Sequence, residues 1–489
     1  MRPYPEQVLF MEPMKPQRFE ATVQDCIVEG KIPVDLNGGF YRCGPTWKRE
    51  TVQGVTGFSS RDGMVQGLVF ENGKVNYLNR WVHSPKYLLE EKHGKALFEW
   101  HDAWSDWRGY GQIPKNEFGT VTHGVPGSSP IVNVVPFHAN VGDEILALAE
   151  QGLAPMSLNP RTLETNGMVE WAGQLSAGMD GHATFTAHPK WDPDTGEVFG
   201  WTYRDTKPYV TMHFVQPDGT VKTRDLDDAP YATNAHDAWF TEKYLVLPFQ
   251  PFYASLDRVM NQNLSFLGWN PELPTMLAFI PRSLDGDIRW IKADFPTEYI
   301  MHTMSANEID GKIILDGPIF DRAPFPFEDE VDIGEDFVPF GAGVIGRWIV
   351  DLDAERITTE RLDDRPVEFP KIDERFYGKP YNYGFLVSGP NLFMLDTLIK
   401  RNVITGEEEI CKLNYEQAFA IFEPTFVPRS ADAAEGDGYL IAPVSLYMDN
   451  LSEYVIIDTA NFRAGPIARI QIPFQIGWTP HGHWMNFRK

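Results

Sequence analysis

Glycine and proline punctuate this chain from end to end, with 41 glycines and 38 prolines among 489 residues and no single linker that gathers them. Breaks at that frequency exclude long helices and favour many short elements joined by turns. Asn72-Gly73, Asp218-Gly219, Asp310-Gly311 and Asp437-Gly438 are hairpin-type dipeptides, because these residues tolerate the positive φ that primed turns require. Apolar runs follow such turns at Ile313–Leu315, Tyr439–Ile441, Tyr244–Leu247, Trp348–Val350 and Tyr454–Ile457. They are short and rich in β-branched and aromatic residues, and read as buried strands. Helix signals are few. Ser84-Pro85 before KYLLEEKHGKALFEW supplies an N-cap, a proline at the first helical position and early glutamates, and a second short helix is expected over Phe252 to Met260.

The sequence therefore reads as all-β. No clean repeat of about 40 to 50 residues is visible, so sandwich, barrel and irregular propeller all satisfy the pattern. Length without a visible linker favours a propeller, which grows by adding blades. One domain over residues 1–489 is expected, with residues 1–20 as an extended arm because Pro3, Pro5, Pro13 and Pro16 interrupt any helix there. The formal charge of −25, from 43 basic and 68 acidic residues, argues against nucleic-acid and anionic-membrane partners. Three cysteines, Cys26, Cys43 and Cys411, form no CxxC pair and imply neither a disulfide framework nor a thiolate zinc site. A cytoplasmic protein is expected, with no transmembrane segment, since no run approaches about 18 apolar residues.

Twelve histidines are present, and none stands in an HExxH or HxxxH spacing. Four lie in unusual contexts: His188 in TAHPK, His236 in NAHDA, His302 in MHT and His481 in PHGHW, separated by 48, 66 and 179 residues. A propeller would bring such distant positions together, because strands of every blade converge on one axis. Taken singly, each is more often a surface or satisfied core histidine than a metal ligand. Glu150, Glu368 and Glu423 each follow or interrupt an apolar stretch, where a charge is costly unless paired. Imidazole N–H groups would be suitable partners, although for each glutamate taken alone a strand-end carboxylate facing water is the better reading.

These segments resemble the carotenoid cleavage oxygenase family. His188 in TAHPKWDPDTGE, His236 in NAHDAWFTEKYLVLP, His302 in HTMSANEIDGKIILD and His481 in PHGHW are similar to its four histidine segments. Glu150 in LALAEQG, Glu368 in EFPKIDERFYGKPYNYGF and Glu423 in EPTFVPR are similar to its three glutamate segments, in the same order. NGGFYRCGP at 37–45 and the segment at 58–82 resemble its N-terminal blades, so the likeness covers almost the whole sequence. The resemblance implies a seven-bladed β-propeller with short helical excursions covering one face. It further implies Fe(II) bound by His188, His236, His302 and His481, and cleavage of an alkene by O2. Glu150, Glu368 and Glu423 would support His236, His302 and His481, while His188 would lack a carboxylate and His483 would not be a ligand.

Within the family, RWVHSPKYLLEEKHGKALF, PRTLETNG and FLGWNPELPTMLAFIPR resemble the bacterial branch that cleaves lignostilbene and isoeugenol. This implies a small aromatic alkene of phenylpropanoid or stilbene type. The lignostilbene enzymes carry a lysine just before the first glutamate, where it meets a substrate phenol; here that position is Ala149. Losing the ammonium removes a hydrogen-bond donor and a means of favouring phenolate, so Tyr110 or His182 becomes the candidate donor. Phe58, Phe320, Phe325 and Phe327 are candidates for an aromatic substrate wall. The competing readings are an apocarotenoid or carotenoid cleaver on the same scaffold and a propeller that binds without turnover. A calcium or zinc hydrolase would need a different ligand set.

Overall fold

The computed structural model describes residues 15, 17–49, 61–97, 125–139, 142–178, 181–255, 257–262, 267–324 and 341–487. Among them the structure is almost entirely β. The hairpin signals hold where both turn residues take positive φ: Asn72-Gly73 (53° and 74°) joins Asp62–Glu71 to Lys74–Trp81, and Asp310-Gly311 (51° and 76°) joins Ser305–Ile309 to Lys312–Phe320. Each of the five apolar runs lies inside a strand. Asp437-Gly438 behaves differently: Gly438 opens the strand Gly438–Leu446, and the positive φ falls on Gly436.

Helix Pro85–His93 forms with the expected N-cap and first-position proline, while Glu90 and Glu91 fall outside its first turn. Ser84 Oγ accepts from Tyr87 N, and Gly94 closes the helix at φ 71°. The helix expected over Phe252 to Met260 is corrected. Phe252–Ala254 is a strand paired with Leu267–Trp269, and only Arg258–Gln262 coils, as a π-helical turn. The aromatic residues at 252 and 253 gain more from cross-strand packing than an isolated turn could return.

The described strands form seven antiparallel sheets, mostly of sequence neighbours. In the largest sheet, the 17-residue strand Arg356–Ile372 serves two sets of partners. It pairs with Gly343–Asp351 along 356–361 and 366–367, and from Val367 to Ile372 it pairs with Gly384–Ser388. The two ends of the protein are interleaved. Strand Gly38–Thr46 pairs with the C-terminal His481–Asn486, and Val28–Gly30 pairs with Pro466–Ile472.

Burial follows the same plan, with an apolar cluster between successive sheets. Val65 and Leu78 of the first sheet pack with Ile145 and Met156 of the next. Phe137 and Leu146 meet Val198 and Val215, and Trp201 and Phe214 meet Leu247 and Ile280. Val246 and Phe279 meet Leu315 and Trp348, and Phe385 and Leu398 meet Leu440 and Val455. The series returns to its start where Tyr454, Ile456 and Ile470 pack on Phe40, Leu68 and Tyr77. All three cysteines are buried free thiols, and among the described residues no helix is long and apolar enough to cross a membrane.

The seam between the two ends leaves no spare volume at Gly482, which lies opposite Arg42 in the register. A Cβ there would strike the Tyr41 carbonyl oxygen and stand 2.7 Å from Arg42 Cγ. Gly482→Ala is therefore expected to destabilise the fold by about 1–3 kcal/mol through overpacking. The urea midpoint relative to wild type measures this, and an unchanged midpoint would contradict the tight seam.

Candidate metal centre

Four strand-end segments deliver the four histidines to one place. His188 follows Thr186, whose hydroxyl accepts the His188 N–H (3.1 Å), and the Asn133 amide holds the Ala187 carbonyl (2.9 Å). His236 is steadied by Asn234, whose N–H donates to the Phe252 carbonyl (2.9 Å). His302 follows the short strand Tyr299–Ile300, and His481 opens the C-terminal strand. All four are buried, none more than 7% exposed. The His188 ring centroid lies 4.4, 5.2 and 4.5 Å from those of His236, His302 and His481. Those of His302 and His481 are 4.6 Å apart.

Carboxylates lie behind three of the rings. His302 Nδ1 is 2.8 Å from Glu368 Oε2, His481 Nδ1 is 2.9 Å from Glu423 Oε1, and His236 Nδ1 is 3.3 Å from Glu150 Oε2. An ionised carboxylate only accepts, so it draws the imidazole proton to Nδ1 and leaves a lone pair on Nε2. The Nε2 atoms of His236 and His302 then face each other at 3.4 Å. His188 Nε2 is buried with no hydrogen-bond partner. Two facing lone pairs and an orphaned ring nitrogen are costly in a dry interior unless a cation lies between them. The donor set fits such an ion. Ligand atoms of His188, His302 and His481 lie within 4.8 Å of one another, as do those of Glu150, His188 and His236.

Local backbone geometry aims the carboxylates. Glu150 is followed by Gln151 and Gly152 at φ 63° and 76°, a left-handed pair that ends the strand Gly142–Leu148 and turns the backbone. The register slips between Glu368 and Lys371, and within that bulge Phe369 adopts φ 54°. A left-handed phenylalanine is a strained conformation, held here because its ring lies 5.9 Å from both His302 and His481. Bulges of this kind re-aim a side chain, and this one lets Glu368 reach His302.

Charge is graded around the rings. Burial, reinforced by the neighbouring imidazoles, holds His188 well below the usual histidine range. Burial also outweighs Glu423 at His481, lowering it to about 3. Burial opposes charge on His302 too, but there Glu368 prevails and the shift is upward. Protons and a metal ion therefore compete for this nitrogen set, as they do wherever ligands must be neutral. A polar cavity opens beside the histidines, with Lys190, Asp237, Thr303, Lys371 and His483 in its lining. Lys190 Nζ lies 2.6 Å from Asp237 Oδ1, whose other oxygen accepts from Thr303 N and Oγ1 (2.7 and 2.9 Å). The residues just after His188, His236 and His302 are thus tied to one another. His483 points its Nδ1 to Glu374 (2.6 Å), and it stands about 7 Å beyond His481 by strand rise.

The structure brings together all seven residues singled out as ligands or supports. The substrate candidates are spread more widely. Phe58, Tyr110, Phe325 and Phe327 lie outside the described residues. Ala149 is packed in an apolar core with Tyr41 and Leu153. His182 is half-buried in a loop where its carbonyl accepts from Gly178 N. Phe320 joins Phe252, Trp269, Tyr299 and Met301 in a cluster next to the His302 segment. Sequence reading passed over Lys190, Asp237, Lys371, Tyr203 and Arg42. For Lys190, Asp237 and Lys371 the available signal was charge placed one to three residues after a histidine or glutamate; Tyr203 and Arg42 carry no such mark.

Residues 14–486 match the family model described as retinal pigment epithelial membrane protein (RPE65). The protein is 33% identical to an isoeugenol monooxygenase of Pseudomonas nitroreducens, covering 96% of each. It is 31% identical to lignostilbene-alpha,beta-dioxygenase isozyme III of Sphingomonas paucimobilis, covering 97% of this sequence and 96% of that one. The crystal structure of the Pseudomonas brassicacearum lignostilbene dioxygenase superposes with a TM-score of 0.86 at 31% identity, covering 100% of both. These matches define a class of oxygenases. The protein belongs to the RPE65/carotenoid oxygenase family.

Glu368→Gln leaves the shape of the His302 support but removes its charge. The variant is expected to hold metal about 10- to 100-fold more weakly than wild type. Iron retained after dialysis against graded chelator reads this out, and equal retention would contradict the role of the carboxylate.

Proposed function

We propose that this protein is a non-haem Fe(II)-dependent dioxygenase that uses O2 to cleave the alkene double bond next to the ring of a small aromatic alkene, giving two carbonyl products. The observation that carries the reading is the convergence of the four buried imidazoles, three of them backed by carboxylates. His188, His236, His302 and His481 would hold the metal, and Glu150, Glu368 and Glu423 would orient three of the rings. Imidazole ligation suits several first-row metals, and O2 chemistry selects a redox-active one among them. Fe(II) would supply activation of O2 at coordination positions that four protein ligands leave open.

The contribution of the protein is geometric and electrostatic. Neutral imidazoles would leave the ion its full charge, and carboxylate acceptors at Nδ1 would keep the Nε2 lone pairs of His236, His302 and His481 directed inward. Fixed rings cost no reorganisation when the substrate arrives. Since one oxygen atom can enter each carbonyl, the reaction needs no flavin, nicotinamide or oxoacid as an electron source.

We also read the fold as one domain, a seven-bladed propeller. Six sheets of four or more strands, with the largest divided within Arg356–Ile372 where its pairing to Gly343–Asp351 breaks between Arg361 and Pro366, make seven units. The unbroken succession of apolar clusters supports their cyclic order, and the interleaved ends would close the ring. Three unpaired buried thiols suit a reducing cytoplasm. Isoeugenol-like and stilbene-like alkenes are the favoured class because relatives bearing those names align over nearly the full sequence. Ala149 offers no ammonium to a substrate phenol, so substrates whose binding does not depend on that contact are preferred.

The test is product analysis with iron-loaded protein on isoeugenol, vinylguaiacol, a stilbenoid and an apocarotenal. Cleavage of one or more of the first three, abolished in His236→Ala, is the expected result. Turnover of the apocarotenal alone would overturn the substrate class. With labelled O2, the dioxygenase reading predicts label in both carbonyl products, and label in only one would replace it with a monooxygenase.

A further inference from the structure

The three carboxylates behind the histidines are not supported alike. Glu150 Oε1 takes a neutral hydroxyl, that of Tyr203 at 2.9 Å, and Asn234 in turn donates to that hydroxyl (3.1 Å). Glu368 takes its own backbone through the Phe369 N–H, and its Oε1 is buried without a hydrogen-bond partner. Glu423 alone has a nearby ammonium. Its Oε2 accepts from Gly482 N at 2.9 Å and lies 3.3 Å from Lys371 Nζ, which also donates to the Gly482 carbonyl at 3.3 Å. Lys371 is 6% exposed, so little water shares that charge.

A second cation grips the same two segments from the other side. Arg42 is 1% exposed. Its Nε donates to Thr479 Oγ1 (2.7 Å), one terminal nitrogen to the Glu423 carbonyl, and the other to the carbonyls of Thr479 and Pro480, the latter at 3.2 Å. Its planar fork spans the Glu423 segment and the residues that immediately precede His481, a geometry an ammonium cannot copy. Neither cation is among the ring-bearing or carboxylate residues, and each comes from a separate strand.

We infer that Arg42 and Lys371 are positioning residues that clamp Glu423 and His481 into one unit, so that the placement of His481 depends on these two buried cations. The inference rests on the metal role proposed above. Lys371 holds the Glu423 carboxylate against the Gly482 backbone. Arg42 fixes the distance between the Glu423 backbone and the turn that launches His481. Because Arg42 belongs to the N-terminal strand and His481 to the C-terminal one, closing the seam and completing the ligand set are the same event.

The experiment is a Co(II) titration of chelator-stripped protein, followed by visible absorption, with the metal-free urea midpoint measured in parallel. Wild type is compared with Arg42→Lys, Lys371→Met, Lys371→Arg and Thr479→Val. Arg282→Met serves as a control, since it breaks an ion pair with Asp192 outside the cavity lining. Arg42→Lys and Lys371→Met are expected to weaken Co(II) binding about 10- to 100-fold, the range for support residues of metal ligands. Lys371→Arg should recover most of that loss, and Arg282→Met should bind as wild type even where its urea midpoint falls. Should Arg42→Lys fail to fold, Thr479→Val removes a single acceptor of the clamp and is expected to weaken Co(II) severalfold. Wild-type affinity in folded Lys371→Met and Thr479→Val would overturn the clamp as a merely structural feature. Absence of Co(II) binding by wild type would instead overturn the metal reading beneath it.

Discussion

The hydrogen bond between an imidazole Nδ1 and a buried carboxylate is the interaction on which the site depends. It decides which nitrogen carries the proton, and so which nitrogen offers a lone pair to the centre. The pairs His302–Glu368 and His481–Glu423 make it at 2.8 and 2.9 Å, and His236–Glu150 approaches it at 3.3 Å. Without that outer layer the rings could relax by donating to one another or to backbone carbonyls. With it, the ring nitrogens converge beside a polar cavity, an arrangement that a cation placed among them satisfies.

That requirement propagates outward into the fold. A carboxylate buried behind a histidine must be aimed, which accounts for the left-handed turn at Gln151-Gly152 and the strained Phe369 in the bulge after Glu368. Residues adjoining the histidines lock neighbouring segments through Lys190, Asp237 and Thr303. The last of the four histidines arrives on the C-terminal strand, so the seam between the first and last strands is part of the site as well as part of the scaffold. Sheets, bulges and ion pairs therefore serve a single geometric demand.

Much of this was legible in the sequence. Gly and Pro punctuation, primed-turn dipeptides and short β-branched runs located the strands, since each reflects local sterics that tertiary packing does not override. The exceptions show where local rules stop. Phe252 to Met260 reads as a short helix but carries aromatics that a neighbouring strand recruits. Asp437-Gly438 had turn chemistry, yet the turn settled one residue earlier. His188, His236, His302 and His481 were visible only through their contexts and a family resemblance, because no local spacing links residues so far apart. The role of Arg42 was invisible for a related reason. A cation in an apolar strand carries no sign of its partner until the fold sets it beside Glu423 and Gly482.

An anomalous difference map recorded at the iron edge on crystals of iron-loaded protein tests the central claim most directly. The account predicts one peak within bonding distance of Nε2 of His188, His236, His302 and His481, with the Nδ1 atoms turned away toward Glu150, Glu368 and Glu423. A peak coordinated by other side chains, or iron-loaded crystals with no peak among those four nitrogens, would contradict it.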